Sequence, residues 1–148
     1  MKIALAADHR GHGLKNRVAA LLTGQGHQVI DMGTNSSRSC DYPDFGYKVA
    51  KAVAGGSADR GILVCGTGIG MSIVANKQRG IRAALCHDTF SGRRARQHTD
   101  ANVLCLGAWA IGQGVAREIL EAFLEGRFEG GRHARRVDKI TAIEAKDP

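Results

Sequence analysis

The chain has 148 residues, of which 43% are hydrophobic, 24% charged and 5% aromatic, enough for one ordinary domain with a buried core. This composition excludes a disordered chain, and the 20 glycines lack the third-position period of collagen. Lysine and arginine outnumber aspartate and glutamate by 21 to 14, a net charge of +7, which suits either a small anionic substrate or a nucleic acid.

The arginines gather at Arg93, Arg94 and Arg96, and again at Arg127, Arg132, Arg135 and Arg136. There is no long basic tail, and aromatic residues are too sparse for a base-stacking surface, so no nucleic-acid partner is expected. No apolar run approaches the roughly 18–20 residues needed to cross a bilayer, so no membrane partner is expected. The opening MKIALAADHRGHG turns polar too soon for a signal peptide. Cys40, Cys65, Cys86 and Cys105 form no C-x-x-C pair, which argues against a zinc or thioredoxin-like site and fits the reducing cytoplasm.

In chain order, Lys2–Ala7 (KIALAA) reads as a strand, followed by a helix marked by Leu14, Val18, Leu21 and Leu22. Gln28–Met32 is a second strand, followed by the polar loop GTNSSRSCDYPD and a helix carrying Phe45, Val49, Ala52 and Val53. Gly61–Cys65 (GILVC) is apolar throughout, as a strand buried on both faces should be. A glycine-rich turn and a short helix to about Lys77 come next, then a strand over Arg82–Cys86 and a basic helix over Asp88–His98. Val103–Leu106 is the fifth strand, and Val115, Ile119, Leu120, Phe123 and Leu124 mark a long helix ending near Gly126. A last, exposed helix is expected from about Gly131 to Ala145.

Strands alternating with helices predict a mainly parallel sheet covered on both faces, with ligands at the carboxyl ends of the strands. Four clusters are candidates for that position: Asp8-His9; Cys65-Gly66-Thr67-Gly68-Ile69-Gly70; His98-Thr99-Asp100-Ala101-Asn102; and Gly130-Gly131-Arg132-His133-Ala134-Arg135-Arg136. The Cys65 loop has neither the third glycine of a dinucleotide fingerprint nor the lysine of a P-loop. It reads as an anion cradle beside a thiol at a helix start, or as a packing turn over a buried cysteine. Asp8-His9 is either a helix cap or part of a site. His98 is either a solvated helix-end residue or an acid–base group. Arg132 and Arg136, four apart, share a helical face that is either solvated or a phosphate clamp.

Taken together, these motifs resemble the type B ribose-5-phosphate isomerases, the family that also contains galactose-6-phosphate isomerase subunits. The resemblance spans essentially the whole chain, through Asp8-His9, Asp41-Tyr42-Pro43-Asp44, Ile62 to Gly70, Ala75-Asn76-Lys77, Gly80-Ile81-Arg82-Ala83, Asn102-Val103-Leu104 and Gly130-Gly131-Arg132-His133. It implies a Rossmann-like three-layer α/β/α sandwich, a single domain over residues 1–148, and a homodimer or homotetramer with active sites at subunit interfaces. It also implies interconversion of ribose 5-phosphate and ribulose 5-phosphate through an enediolate, in the pentose phosphate pathway, with no metal and no cofactor.

By the same resemblance Cys65 is the base, Thr67 supports the proton transfer, and the N–H groups of Gly66, Gly68 and Gly70 stabilise the enediolate oxygen. His98 opens the sugar ring, Asp8 holds hydroxyls, and His9, Arg132 and Arg136 bind phosphate. Tyr42 and Thr99 complete the expected substrate contacts. Some relatives use a glutamate as base at the position of Ile69, which here cannot move protons. Thr99 stands where many relatives have asparagine, and Trp109 where many have a phosphate-gripping arginine, so a cation is expected to be missing there. The sugar therefore stays open: a four-carbon aldose phosphate, allose 6-phosphate and galactose 6-phosphate are alternatives. A nucleotide-binding module is the reading from another class.

Overall fold

The computed structural model describes residues 1–146. Five strands and six helices alternate as β1 (Lys2–Ala7), α1 (His12–Gly24), β2 (Gln28–Asp31), α2 (Tyr42–Ala54), β3 (Arg60–Cys65), α3 (Ile69–Ala75), β4 (Ala83–Leu85), α4 (Thr89–Thr99), β5 (Val103–Gly107), α5 (Gln113–Glu125) and α6 (Arg132–Glu144). Every expected element is present. Four expected bounds shorten: the second strand stops at Asp31, the third helix at Ala75, the fourth strand keeps only Ala83–Leu85, and the last helix spans Arg132–Glu144. Asp88 lies just outside α4 as its cap, its carboxylate accepting the Ser91 N–H at 2.7 Å and the Ser91 hydroxyl at 2.8 Å. Those donors hold the Asp88 carboxyl below its usual pKa.

The sheet order is β2-β1-β3-β5-β4, and all of its pairings are parallel. The apolar strands are sorted by alternation of their side chains. Ile3, Leu5, Ile62, Val64, Leu104 and Leu106 pack on one face with α1 and α5 through Val18, Leu22, Ile119, Leu120 and Phe123. Ala4, Ala6, Leu63, Val103 and Cys105 pack on the other with α2 and α3 through Val49, Val53, Met71 and Ala75. The result is the three-layer α/β/α sandwich. No helix among the described residues is long and apolar enough to cross a membrane.

The sheet order decides which loops meet. Strand order reverses between β1 and β3, which pair directly with Ala7 opposite Val64. The loops after these two strands therefore share a crevice, the usual ligand position in such sheets. One buried charge braces its edge: Lys15 of α1 is 1% exposed and its ammonium meets Asp31 at the end of β2 at 2.5 Å. Asp31→Ala leaves that ammonium without its carboxylate. It should destabilise the fold by about 2 kcal/mol, less than for a fully buried pair because Asp31 is 39% exposed. Urea denaturation, with Lys15→Met as the milder companion, checks this.

Candidate active site

Cys65 closes β3, and the chain then turns back through residues 66–68 before α3 begins at Ile69. Gly68 is the N-cap of that helix, so the sulfur lies at a helix start, as the sequence suggested, although Cys65 itself is three residues before the cap. It receives a donor from the turn itself: the Gly68 N–H reaches Sγ at 3.1 Å. Gly68 adopts φ +78°, and a Cβ there would lie 2.5 Å from Leu85 Cδ1, so only glycine brings that N–H into place. At Gly66 a Cβ would stand 2.8 Å from the ring of Trp109. The hydroxyl of Thr67, which is exposed, accepts the Ile69 N–H at 3.3 Å. Because sulfur takes the Gly68 N–H, the donors left for an anion at this turn include those of Gly66, Thr67 and Gly70, which have no protein acceptor among the described residues.

The loop after β1 supplies the neighbouring wall. Asp8 is buried, and its Oδ1 accepts the N–H groups of Arg10 and Gly11 at 2.9 Å each. It is thus a turn-former at the entry to α1, while Oδ2 has no protein donor among the described residues. The Nδ1 of His9 accepts the Cys40 N–H at 3.3 Å; a neutral ring so held carries its proton on Nε2 and offers it outward. Tyr42, the first residue of α2, lays its ring against Gly70, where a Cβ would come within 2.6 Å. Cys65, Gly66, Thr67, Gly68, Gly70, Asp8, His9 and Tyr42 therefore gather in one place.

His98, Thr99, Arg132 and Arg136 do not join them. A helix linking parallel strands runs back along the sheet, so the end of α4 lies at the amino edge. Thr99 O accepts from Arg82 at 2.9 Å, just before β4. Cys65 pairs with Gly107 at the far end of β5 and Gly61 with Val103 at its start, a separation of roughly 13 Å at about 3.3 Å per residue. The third and fourth clusters are thus not at the carboxyl ends, contrary to the sequence reading. Much of the third is scaffold. Asp100 is a left-handed cap (φ 47°) paired with Arg96 and Arg82 at 2.7 and 3.0 Å, Asn102 pins Arg82 and Gly80, and the Thr99 hydroxyl donates to Ala95 O at 2.6 Å.

His98 keeps its chemistry and gains partners the sequence did not reveal. Its ring stacks on that of His133 with centroids 4.1 Å apart and planes 9° apart. Both Nε2 atoms lie near Glu129 Oε2, at 3.7 and 3.6 Å, and Arg94 reaches His98 at 3.3 Å. Burial, then the charges of His98 and Arg132, hold the His133 imidazole below its usual pKa, which favours the neutral ring. His98, Glu129 and His133 offer metal-ligating atoms within 4.8 Å of one another. Parallel rings, however, direct their lone pairs side by side rather than toward a common point, which does not fit the convergent geometry of a metal. Arg132 and Arg136 are exposed beside this stack.

Of the remaining cysteines, Cys86 and Cys105 belong to the core, while Cys40 is half-buried beside His9. Burial raises the Cys86 thiol to about 11 and pushes Cys105 far above its ordinary value. The expectation of a missing cation beside Trp109 is overturned: the guanidinium of Arg10 stands over the indole, 5.2 Å from the ring centroid. The sequence places the two residues 99 positions apart, and nothing in their spacing signals the contact.

A thiol, a carboxylate and an imidazole around a glycine turn with spare N–H groups lie together at the carboxyl ends of parallel strands, the position where α/β proteins of this kind take small ligands. The family model described as Ribose/Galactose Isomerase matches residues 3–140. The chain is 50% identical over 145 residues to ribose-5-phosphate isomerase B of Escherichia coli, covering 98% of this chain and 97% of that protein. It is 46% identical over 148 residues to D-erythrulose-4-phosphate isomerase of Pectobacterium atrosepticum, covering 99% and 97%. The solved structure of Clostridium thermocellum ribose-5-phosphate isomerase B superposes with a TM-score of 0.99 at 51% identity over the whole of both chains. The chain belongs to the ribose/galactose isomerase family.

Proposed function

We propose that this chain, acting as a single domain, interconverts ribose 5-phosphate and ribulose 5-phosphate through an enediolate, and does so in the cytoplasm, where its four unpaired thiols would stay reduced. The observation that carries the reading is the Cys65 sulfur held by the Gly68 N–H at 3.1 Å beside the unclaimed N–H groups of Gly66, Thr67 and Gly70. Cys65 takes the proton from C2 of the open-chain aldose and returns it to C1, while a hydroxyl proton passes from O2 to O1. The Thr67 hydroxyl stands at the turn to assist that second transfer. The free N–H groups face the negative charge that grows on the enediolate oxygen, the point at which an isomerase lowers its barrier. Asp8 Oδ2 accepts substrate hydroxyls, Tyr42 covers the turn, and His9 donates Nε2–H to the phosphate.

Ring opening needs His98, which this chain keeps at the other edge of its sheet. The reading therefore includes a homodimer, or a tetramer built from such dimers, in which a second copy brings His98, Thr99, Arg132 and Arg136 to the Cys65 turn. Two apolar surfaces support that: Ile69 and Ile73 are exposed on α3 beside the turn, and Ile140 and Ile143 on α6 beside the arginines. Their burial between subunits would offset the cost of association.

A panel of four-, five- and six-carbon aldose phosphates tests the substrate. Turnover is expected to be best with ribose 5-phosphate, or a four-carbon phosphate, and poor with allose and galactose 6-phosphates because the indole of Trp109 crowds the Gly66 side. Thermal shifts separate the classes: a sugar phosphate at 100 times Kd should stabilise by about 2.7 kcal/mol. Stabilisation by ATP or NAD alone would point to the nucleotide-binding reading instead.

A further inference from the structure

Arg10 is the residue after the Asp8-His9 pair, and its guanidinium rests over Trp109 at 5.2 Å from the ring centroid. Arg94 and Arg96 also lie over aromatic rings, but both are neutralised by carboxylates, whereas Arg10 forms no ion pair among the described residues. A cation held on an aromatic face keeps its N–H edge open, because the ring engages its face. Both partners are fixed from below. The Arg10 N–H is bound by Asp8 Oδ1 at 2.9 Å, and the Trp109 N–H donates to Gly66 O at 2.9 Å while its ring fills the space over Gly66. Trp109 is the chain's only tryptophan and is 68% exposed. A guanidinium with no ion-pair partner, held on an exposed ring at the rim of the crevice, is positioned to meet an anion.

We propose that Arg10 is a phosphate-binding residue for the sugar phosphate, contributed by the same chain as Cys65, and that Trp109 is its positioning residue. The proposal rests on the isomerase reading for the identity of the substrate, but not for the existence of the anion site. His9 and Arg10 are consecutive, so one loop offers a neutral donor and a guanidinium fork to the same group. A fork suits phosphate better than hydroxyls, since it meets two oxygens of one dianion in a single plane. The basic patch of Arg132 and Arg136 then need not carry the whole phosphate.

Inorganic phosphate is the probe, titrated calorimetrically into the full chain, alongside steady-state kinetics on ribose 5-phosphate. Arg10→Ala should weaken phosphate binding and raise KM about tenfold, the scale of one charge-assisted contact, with a smaller fall in kcat. Arg10→Lys, which keeps charge without the fork, should recover part of both, and Trp109→Phe should give an intermediate KM. Unfolding curves for each variant show whether the fold is intact; were Arg10→Ala to unfold, Arg10→Lys decides, with a loss of phosphate affinity expected. Phosphate affinity and KM within twofold of the unsubstituted chain in a folded Arg10 variant would overturn the proposal. Tenfold weaker phosphate binding in a chain that turns over no aldose phosphate would keep the anion site and discard the isomerase reading. Turnover with unchanged phosphate affinity would do the reverse.

Discussion

Cys65→Ala should lower kcat on ribose 5-phosphate by about 10²- to 10⁴-fold, the usual worth of a positioned proton-transfer group. The sulfur is the only basic side-chain atom at the turn after β3, and Ile69, on the first turn of α3, has no proton to move. Stability should change far less. Alanine removes one sulfur that is 5% exposed and leaves the Gly68 N–H without its acceptor, a loss of about 1–2 kcal/mol. Cys65→Ser separates the two effects, since a hydroxyl restores an acceptor for Gly68 but is a much weaker base at neutral pH. It should regain stability without regaining rate. Cys86 and Cys105 cannot substitute, because burial keeps both as neutral thiols. A kcat for Cys65→Ala close to that of the unsubstituted chain would remove the thiol from the mechanism.

The second large effect is a gain. Cys65→Ala and His98→Asn should each be nearly inactive alone on ring-closed ribose 5-phosphate. If each site takes Cys65 from one copy and His98 from another, a mixed dimer of the two variants holds one site with both residues and one with neither. Unfolding and refolding an equal mixture should then recover about a quarter of full activity, as random pairing of two kinds of subunit predicts. A Cys65→Ala, His98→Asn double variant mixed with the unsubstituted chain supplies the control. Absence of recovery, with dimers verified by light scattering, would mean that both residues serve one site within one chain. The register of β3 against β5 and the Arg82 contact to Thr99 argue the other way.

A Cys65 result speaks to the proton transfer, a complementation result to how the site is assembled, and the Asp31→Ala measurement to the scaffold alone. The last matters because Lys15 and Asp31 tie α1 to the end of β2, next to the loop that carries Asp8 and His9. An Asp31→Ala chain with lower stability but normal kcat would show that the crevice holds its shape without that tie.

The sequence determined by itself the elements and the class of the fold. GILVC is apolar on both sides of its alternation because helices cover both faces, and glycines at 66, 68 and 70 mark a tight turn at the carboxyl end of β3. Several motifs at matching intervals also carried the family resemblance, because short runs of polar residues and glycines at strand ends are local features of the sequence. Assembly was another matter. That Asp8 meets Cys65 depends on β1 lying beside β3 in the order β2-β1-β3-β5-β4, and strand order is a property of packing. The placing of His98 was within reach of sequence reasoning, since a residue that ends a helix before a parallel strand lies at that strand's amino edge. Two contacts lay beyond it. Stacking of His98 on His133 needs α6 to fold back on α4, and Arg10 over Trp109 needs β1 and β5 brought to either side of β3. Side chains far apart in sequence meet only through the tertiary packing of their elements, and that packing put a guanidinium where the sequence had indicated a missing cation.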